Sequence, residues 1–123
     1  MSLVEETRER IRKERAAQVP LATEALVDGI AQGRGQDMRD NLLFFTPPPE
    51  FPRRLGALRQ ALETSFARAS AREQELRLRF LADMAIALHS FLPAWNLRAG
   101  LDEGQIIAEA KATEALAVRL AAA

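Results

Sequence analysis

The chain has 123 residues, 17 basic and 17 acidic side chains, and no cysteine. This length suits a single domain spanning residues 1–123, and the balanced charge gives no reason to expect generic adhesion to nucleic acid or to an anionic membrane. Without cysteine, disulfides, thiolate metal sites and cysteine nucleophiles are excluded. No apolar run approaches the roughly 20 residues that cross a bilayer, and residues 1–15 are too charged for a signal peptide, so we expect a cytoplasmic protein.

The first part of the chain predicts a kinked N-terminal helix over residues 1–33. An S-x-x-E pattern starts at Ser2, which is the capping-box signature of a helix start. The stretch that follows is strongly charged and has few apolar positions, so this helix needs a partner to hold it. Pro20 should kink the helix, and Gly33 and Gly35 should end it in the left-handed conformation that glycine adopts readily.

Residues 36–52 are predicted to form a Pro-rich connecting loop. A short helix over 37–45 is compatible with the sequence, and the three prolines at 47–49 prevent its continuation and favour an extended polyproline stretch. Residues 49–54 also have the P-x-x-P-x-R shape of segments that dock in SH3 domains. That pattern is short and common, so a plain linker is the simpler interpretation.

Residues 53–92 are predicted to form one long helix, because they contain no proline and only one glycine, Gly56, while apolar residues recur three or four positions apart. An uninterrupted helix of this length would be about 60 Å long. A compact domain of this size has a radius of gyration of only about 14 Å. The helix therefore either breaks into a hairpin or projects and pairs with another chain. A second S-x-x-E pattern begins at Ser70, where the apolar stripe is weakest, and both alternatives stay open.

The last part of the chain predicts a C-terminal helix over residues 102–121. Pro93 ends the preceding helix, the segment up to Gly100 is a loop, and Asp102 is a suitable N-cap. The sequence is therefore expected to fold as an all-α protein: a small bundle of three to four helices with one long central helix, or helical hairpin, and a Pro-rich connecting loop.

Catalytic and metal chemistry is not indicated. The one histidine, His89, lies on the most apolar helix, with no carboxylate or nucleophile three or four positions away. A di-iron bundle would need Glu at position 86, where Ile86 stands, and zinc needs three or four ligands, usually Cys or His. The glycines between Gly29 and Gly35 match neither phosphate-binding pattern and are better explained by helix termination. We expect a non-enzyme without cofactor or metal.

An arginine-rich helix face supports one alternative, a nucleic-acid-binding accessory protein. Arg68, Arg72 and Arg79 share this face, which a nucleic-acid groove would require to be unopposed by acids. Glu75 lies on the same face and can pair with Arg79 at i,i+4. A solvated charged face is therefore the favoured interpretation, and nucleic-acid binding is kept as the alternative.

The favoured prediction is a helical protein–protein interaction module: an adaptor, chaperone or assembly subunit that forms a homo-oligomer. Self-association would use the apolar stripe between residues 55 and 84. Large aromatic residues in predicted loops are candidates for contact with a partner. The predicted interface residues are Phe44, Phe45, Leu55, Leu62, Phe66 and Trp95.

Overall fold

The computed structural model describes residues 2–17, 19–90 and 103–123, and their side chains except those of residues 11–17 and 48. These residues contain six α-helices and no β-strand, which confirms the all-α prediction. The predicted number of three to four helices is too low. In chain order the helices are α1 (Leu3–Ala17), α2 (Thr23–Ala31), α3 (Gly35–Phe45), α4 (Phe51–Thr64), α5 (Ala71–Ser90) and α6 (Glu103–Ala122).

The segment predicted as one kinked N-terminal helix contains two helices, α1 and α2. Gly33 ends α2 as expected, with a φ of 81°. The N–H of Gly33 donates to Ile30 O at 3.0 Å and the N–H of Arg34 donates to Gly29 O at 2.9 Å. This pair of bonds is the Schellman motif, in which a left-handed glycine satisfies the last carbonyls of a helix. Gly35 does not end α2; it is the first residue of α3.

The predicted Pro-rich loop over 36–52 is the main correction to the fold. Helix α3 occupies most of it, a 3-10 turn follows at Pro48–Glu50, and α4 begins at Phe51. Pro52 lies in the first turn of α4, where proline is tolerated because its missing N–H would have no acceptor within the helix. The backbone at 48–50 is therefore not the extended polyproline stretch that an SH3 ligand needs.

The region predicted as one long helix is broken between α4 and α5. Residues 65–70, named here the α4–α5 break, contain a 3-10 turn at Phe66–Arg68. Ser70 caps the new helix, because its Oγ accepts a hydrogen bond from the N–H of Glu73 at 3.1 Å. Of the two alternatives left open by the sequence, the structure has the broken helix, and α4 packs mainly on α6 and α2.

A single apolar core is shared by helices α2 to α6. The antiparallel pair α5 and α6 makes the most extensive contact; α4 packs on α6, α2 packs on α4 and α5, and α3 packs on α5. The largest fully buried apolar side chains are Leu26, Ile30, Leu42, Phe51, Leu55, Leu58, Leu62, Leu81, Met84, Leu88 and Ile106. No described side chain of α1 belongs to this core. Within the described ranges, no helix is both long enough and apolar enough to cross a lipid bilayer.

Candidate interaction surface

Three of the predicted interface residues lie in the core of the chain itself. Leu55 and Leu62 are 0% exposed and Phe66 is 8% exposed. The stripe between 55 and 84 is covered by the other helices of the same molecule, so a partner would have to displace them to reach it. Packing within one chain therefore explains the apolar spacing of this stripe, and no partner is needed to bury it. Trp95 lies outside the described residues.

Phe44 and Phe45 lie at the end of helix α3 rather than in a loop. The Phe44 side chain is 51% exposed, whereas Phe45 is half-buried. Asp37 and Asp40 lie seven and four positions before Phe44, so the three side chains are on the same side of α3. We name these three residues the Phe44 surface. An exposed aromatic ring that follows two carboxylates on one side of a helix is suited to contact with a partner that carries basic and apolar groups.

An open groove of about 440 Å³ runs beside the Phe44 surface. Its walls consist of apolar, polar and charged side chains from α3 and from the turn before it, together with Leu21 from the segment before α2. They are Leu21, Arg34, Asp37, Met38, Asp40, Asn41 and Phe45. Asp40 is bound by Arg39, whose Nη2 lies 3.0 Å from Asp40 Oδ1, so part of the acidic charge at the rim is neutralised within the chain.

The segment before α2 is fixed to the bundle by two polar side chains that the sequence analysis missed. Asn41 is 4% exposed; its Oδ1 accepts from the N–H of Leu21 at 3.0 Å and its Nδ2 donates to Val19 O at 2.9 Å. Arg54 donates to Leu21 O and to Thr46 Oγ1. The available signal was the position of Asn41, three residues after buried Met38 in an otherwise apolar stripe, since buried amides need partners.

The described side chains of helix α1, those of residues 3–10, are presented to solvent. Leu3 is 78% exposed and Val4 is 61% exposed, and the other side chains of residues 2–10 are exposed or half-exposed. In the part of the chain that the structure describes, the extensive helix–helix contacts all lie among α2 to α6. The charged sequence of α1, with its few apolar positions, predicts a helix that needs a partner, and the described bundle does not supply an extensive one.

The three arginines of the predicted face lie in two different elements, Arg68 in the 3-10 turn of the α4–α5 break and Arg72 and Arg79 in helix α5. Arg68 and Arg72 are exposed, and Arg79 is exposed with its Nη2 bound to Glu75 Oε1 at 3.1 Å. Arg77, by contrast, is 6% exposed, and its Nη1 donates to Leu62 O at 3.0 Å and to Ser65 Oγ at 2.9 Å. A cation here also complements the negative end of the α4 macrodipole.

His89 is exposed near the C-terminal end of α5. Among the described residues, no group of three or more His, Asp or Glu side chains could hold a metal ion. Comparison with protein-family models, with curated proteins and with solved structures finds no match. The functional conclusion therefore depends on the geometry of this chain.

Proposed function

We propose that this chain is a non-enzymatic helical interaction module of the cytoplasm, working as an adaptor, chaperone or assembly subunit, and that it self-associates through α1. The observation that carries the proposal is the exposure of Leu3 and Val4, on a helix from which no described side chain enters the core. A short isolated helix is marginal in water, so α1 gains stability when another helix covers its apolar positions.

The distribution of charge along α1 favours a second, antiparallel copy as the partner. By sequence, residues 3–9 contain three acids and one base, whereas residues 10–17 contain four bases and one acid. In an antiparallel pair the acidic half of each helix faces the basic half of the other. Such an arrangement aligns opposite charges and disfavours the parallel pairing, in which like charges meet.

The experiment is sedimentation velocity on the full chain and on a variant lacking residues 2–18. We expect a dimer for the full chain and a monomer for the deletion, with an unchanged unfolding temperature because the described core begins at Leu26. The deletion keeps Val19, whose carbonyl binds Asn41. A full chain that stays monomeric at all concentrations, or a deletion variant that dimerises as strongly as the full chain, would rule out self-association through α1.

Charge reversal supplies a matched control. One variant carries Glu5→Lys with Glu6→Lys, and a second carries Lys13→Glu with Arg15→Glu. Each variant alone should fail to dimerise, since both halves of its α1 then carry the same sign. An equimolar mixture should form a heterodimer, because the reversed half of each variant meets an opposite charge in the other.

If association of the deletion variant persists but is lost in Phe44→Ser, the contact lies at the Phe44 surface instead.

Nucleic-acid binding is the second candidate, supported by the exposure of Arg68 and Arg72 in and just after the α4–α5 break. It is tested with single-stranded and duplex oligonucleotides at two salt concentrations. A nucleic-acid-binding protein should lose affinity steeply with salt and lose binding in Arg68→Glu with Arg72→Glu. Arg79→Glu is the matched control, since Arg79 already pairs with Glu75. The interaction-module proposal expects no binding in any of these proteins.

A further inference from the structure

The α4–α5 break contains no residue that forbids a helix. Residues 57–90 include neither glycine nor proline, and the break itself reads Ser-Phe-Ala-Arg-Ala-Ser. The buried faces of the two helices would also overlap on one straight helix. Phe51 in α4 and Ala87 in α5 are both buried and are 36 residues apart, which is ten turns of a 3.6-residue helix. If residues 51–90 were straightened into one helix, the buried positions of α4 and α5 would lie on one continuous face.

The break is held by side chains that bind backbone groups at its two ends. Gln74 Nε2 donates to Phe66 O at 2.9 Å, and Arg77 Nη1 donates to Leu62 O at 3.0 Å. The Ser70 cap is the third of these contacts. In a continuous helix the same carbonyls would accept backbone N–H groups four residues further on, so they would remain satisfied.

Arg77 shows that the bent form has a polar cost. Its side chain is buried, and its Nε has no hydrogen-bond partner within the described ranges. A buried guanidinium N–H without a partner is unfavourable, and this cost is present in the bent form.

We propose that the α4–α5 break is a hinge through which two copies of this chain exchange halves. In the exchanged dimer residues 51–90 form one helix about 60 Å long. The helices α2 to α4 of one copy then pack on α5 and α6 of the other. The partner is a second copy because every helix surface that would be joined already packs within one chain. The contacts that change are those that hold the α4–α5 break, including the bonds from Gln74 to Phe66 O and from Arg77 to Leu62 O. This exchange is independent of contact through α1.

Two sets of substitutions shift the exchange equilibrium in opposite directions. Each set is made in the full chain that also carries Glu5→Lys and Glu6→Lys, so that contact through α1 is absent. Ala71 is the first residue of α5, so Ala71→Pro suits the bent form, whereas in a continuous helix it removes a backbone bond and clashes with the preceding turn. Ser70→Ala with Gln74→Ala removes two of the contacts that hold the break. We expect the dimer dissociation constant to rise at least tenfold in the first variant and to fall at least tenfold in the second. An unchanged unfolding temperature shows that Ala71→Pro keeps the fold.

An engineered disulfide shows whether α4 and α6 of one packed unit come from the same chain or from two chains. The chain has no cysteine of its own, so no other disulfide can form. Gln60 and Ala112 line the same groove between α4 and α6. In Gln60→Cys with Ala112→Cys, oxidation of an exchanged dimer links two chains, which migrate as a dimer on a denaturing gel. A dimer joined only through α1 would give disulfides within each chain. The exchange is overturned if the Ser70→Ala, Gln74→Ala protein stays monomeric at millimolar concentration, or if the oxidised dimer contains intrachain links alone.

Discussion

Gly29 lies where α2 comes closest to α3. A Cβ placed on Gly29 would contact Met38 Sδ and lie 2.7 Å from Met38 Cγ, and Met38 is 2% exposed, so it has little space into which to move. Gly56 in α4 is also helical, but a Cβ there would meet only Arg59 Nη2, at an ordinary 3.7 Å. The same substitution therefore has opposite expected effects at the two positions.

We predict that Gly29→Ala lowers the free energy of unfolding by about 1–2 kcal/mol, because overpacking outweighs the gain in helix propensity. Gly56→Ala should raise it, by up to about 1 kcal/mol, through propensity alone. Urea unfolding of both variants beside the parent measures the two changes. Equal effects at the two sites would mean that α2 and α3 do not approach as described.

The two S-x-x-E patterns show how one local signal can have different consequences in different helices. Ser2 Oγ accepts from the N–H of Glu5 at 3.2 Å, and Ser70 Oγ accepts from the N–H of Glu73 at 3.1 Å. The geometry at the two helix starts is nearly the same. The difference is that α5 carries core residues, whereas the described side chains of α1 do not.

Ser70→Ala is expected to lower the free energy of unfolding by about 1 kcal/mol, the usual value of an N-cap. Ser2→Ala should leave the main unfolding transition unchanged. Thermal unfolding at low micromolar concentration, followed by circular dichroism, compares the two. A shift of equal size in Ser2→Ala would place α1 within the cooperative unit.

Helices α4 and α6 are joined by two ion pairs that differ in exposure. Arg59 Nη1 lies 2.5 Å from Glu109 Oε2, both side chains are 17% exposed, and Arg59 also donates to buried Thr113. Arg119 Nη2 lies 3.0 Å from Glu63 Oε2, but these side chains are 60% and 47% exposed. Solvent and salt screen the second pair much more than the first.

Double-mutant cycles should therefore give about 1–2 kcal/mol of coupling between Arg59 and Glu109. For Arg119 and Glu63 we expect about 0.5 kcal/mol or less, lost in high salt. The cycles use alanine at each position, with stability measured at low and high sodium chloride. A larger coupling for the exposed pair would contradict the assignment of the first pair as the link between α4 and α6.

The sequence predicted the helical class, the end of α2 at Gly33 and the cap at Ser70, since each depends on a few neighbouring residues. A C-terminal helix was also predicted, and the buried residues of α6, among them Ile106, Ala110 and Thr113, recur at the spacing of three or four that indicates a helix. The start of α4 at Phe51, inside the predicted Pro-rich loop, was not predicted. Proline at 47–49 and 52 indicates a loop unless one knows that Pro52 falls in a first helical turn, where it costs little.

The candidate interface was harder to predict for a different reason. Periodicity identifies an apolar face, but not whether the same chain or a partner covers it. Leu55 and Leu62 were assigned to an interface and are core residues. The burial of Arg77 was also not predictable from neighbouring residues, because it depends on contacts with Leu62 and Ser65, which lie 15 and 12 positions away.

In the molecule as a whole, α2, α3 and α4 pack around the α5–α6 pair, while the described part of α1 remains outside the core. Amide exchange depends on how many packed contacts must open before a hydrogen bond breaks. The strongest protection is therefore expected where α5 and α6 face each other, around Leu81 to Leu88 and Ile106 to Leu116.

We predict that amides of residues 3–10 exchange within the dead time when the chain is monomeric, and that those of the α5–α6 pair exchange only with global unfolding. Hydrogen–deuterium exchange at low concentration, resolved by peptide mass spectrometry, provides the measurement. Protection of residues 3–10 equal to that of α5 in the monomer would mean that α1 packs on the bundle in solution.

The position of α1 outside the core also has an evolutionary consequence. Most substitutions in a folded protein are limited by the few kcal/mol that separate it from unfolding. Substitutions at the exposed positions of residues 3–10 do not draw on that margin, because their side chains lie outside the packed interior. Among descendants of this protein, α1 can therefore change its recognition properties quickly while α2 to α6 diverge slowly, so partner choice and fold are free to evolve at different rates.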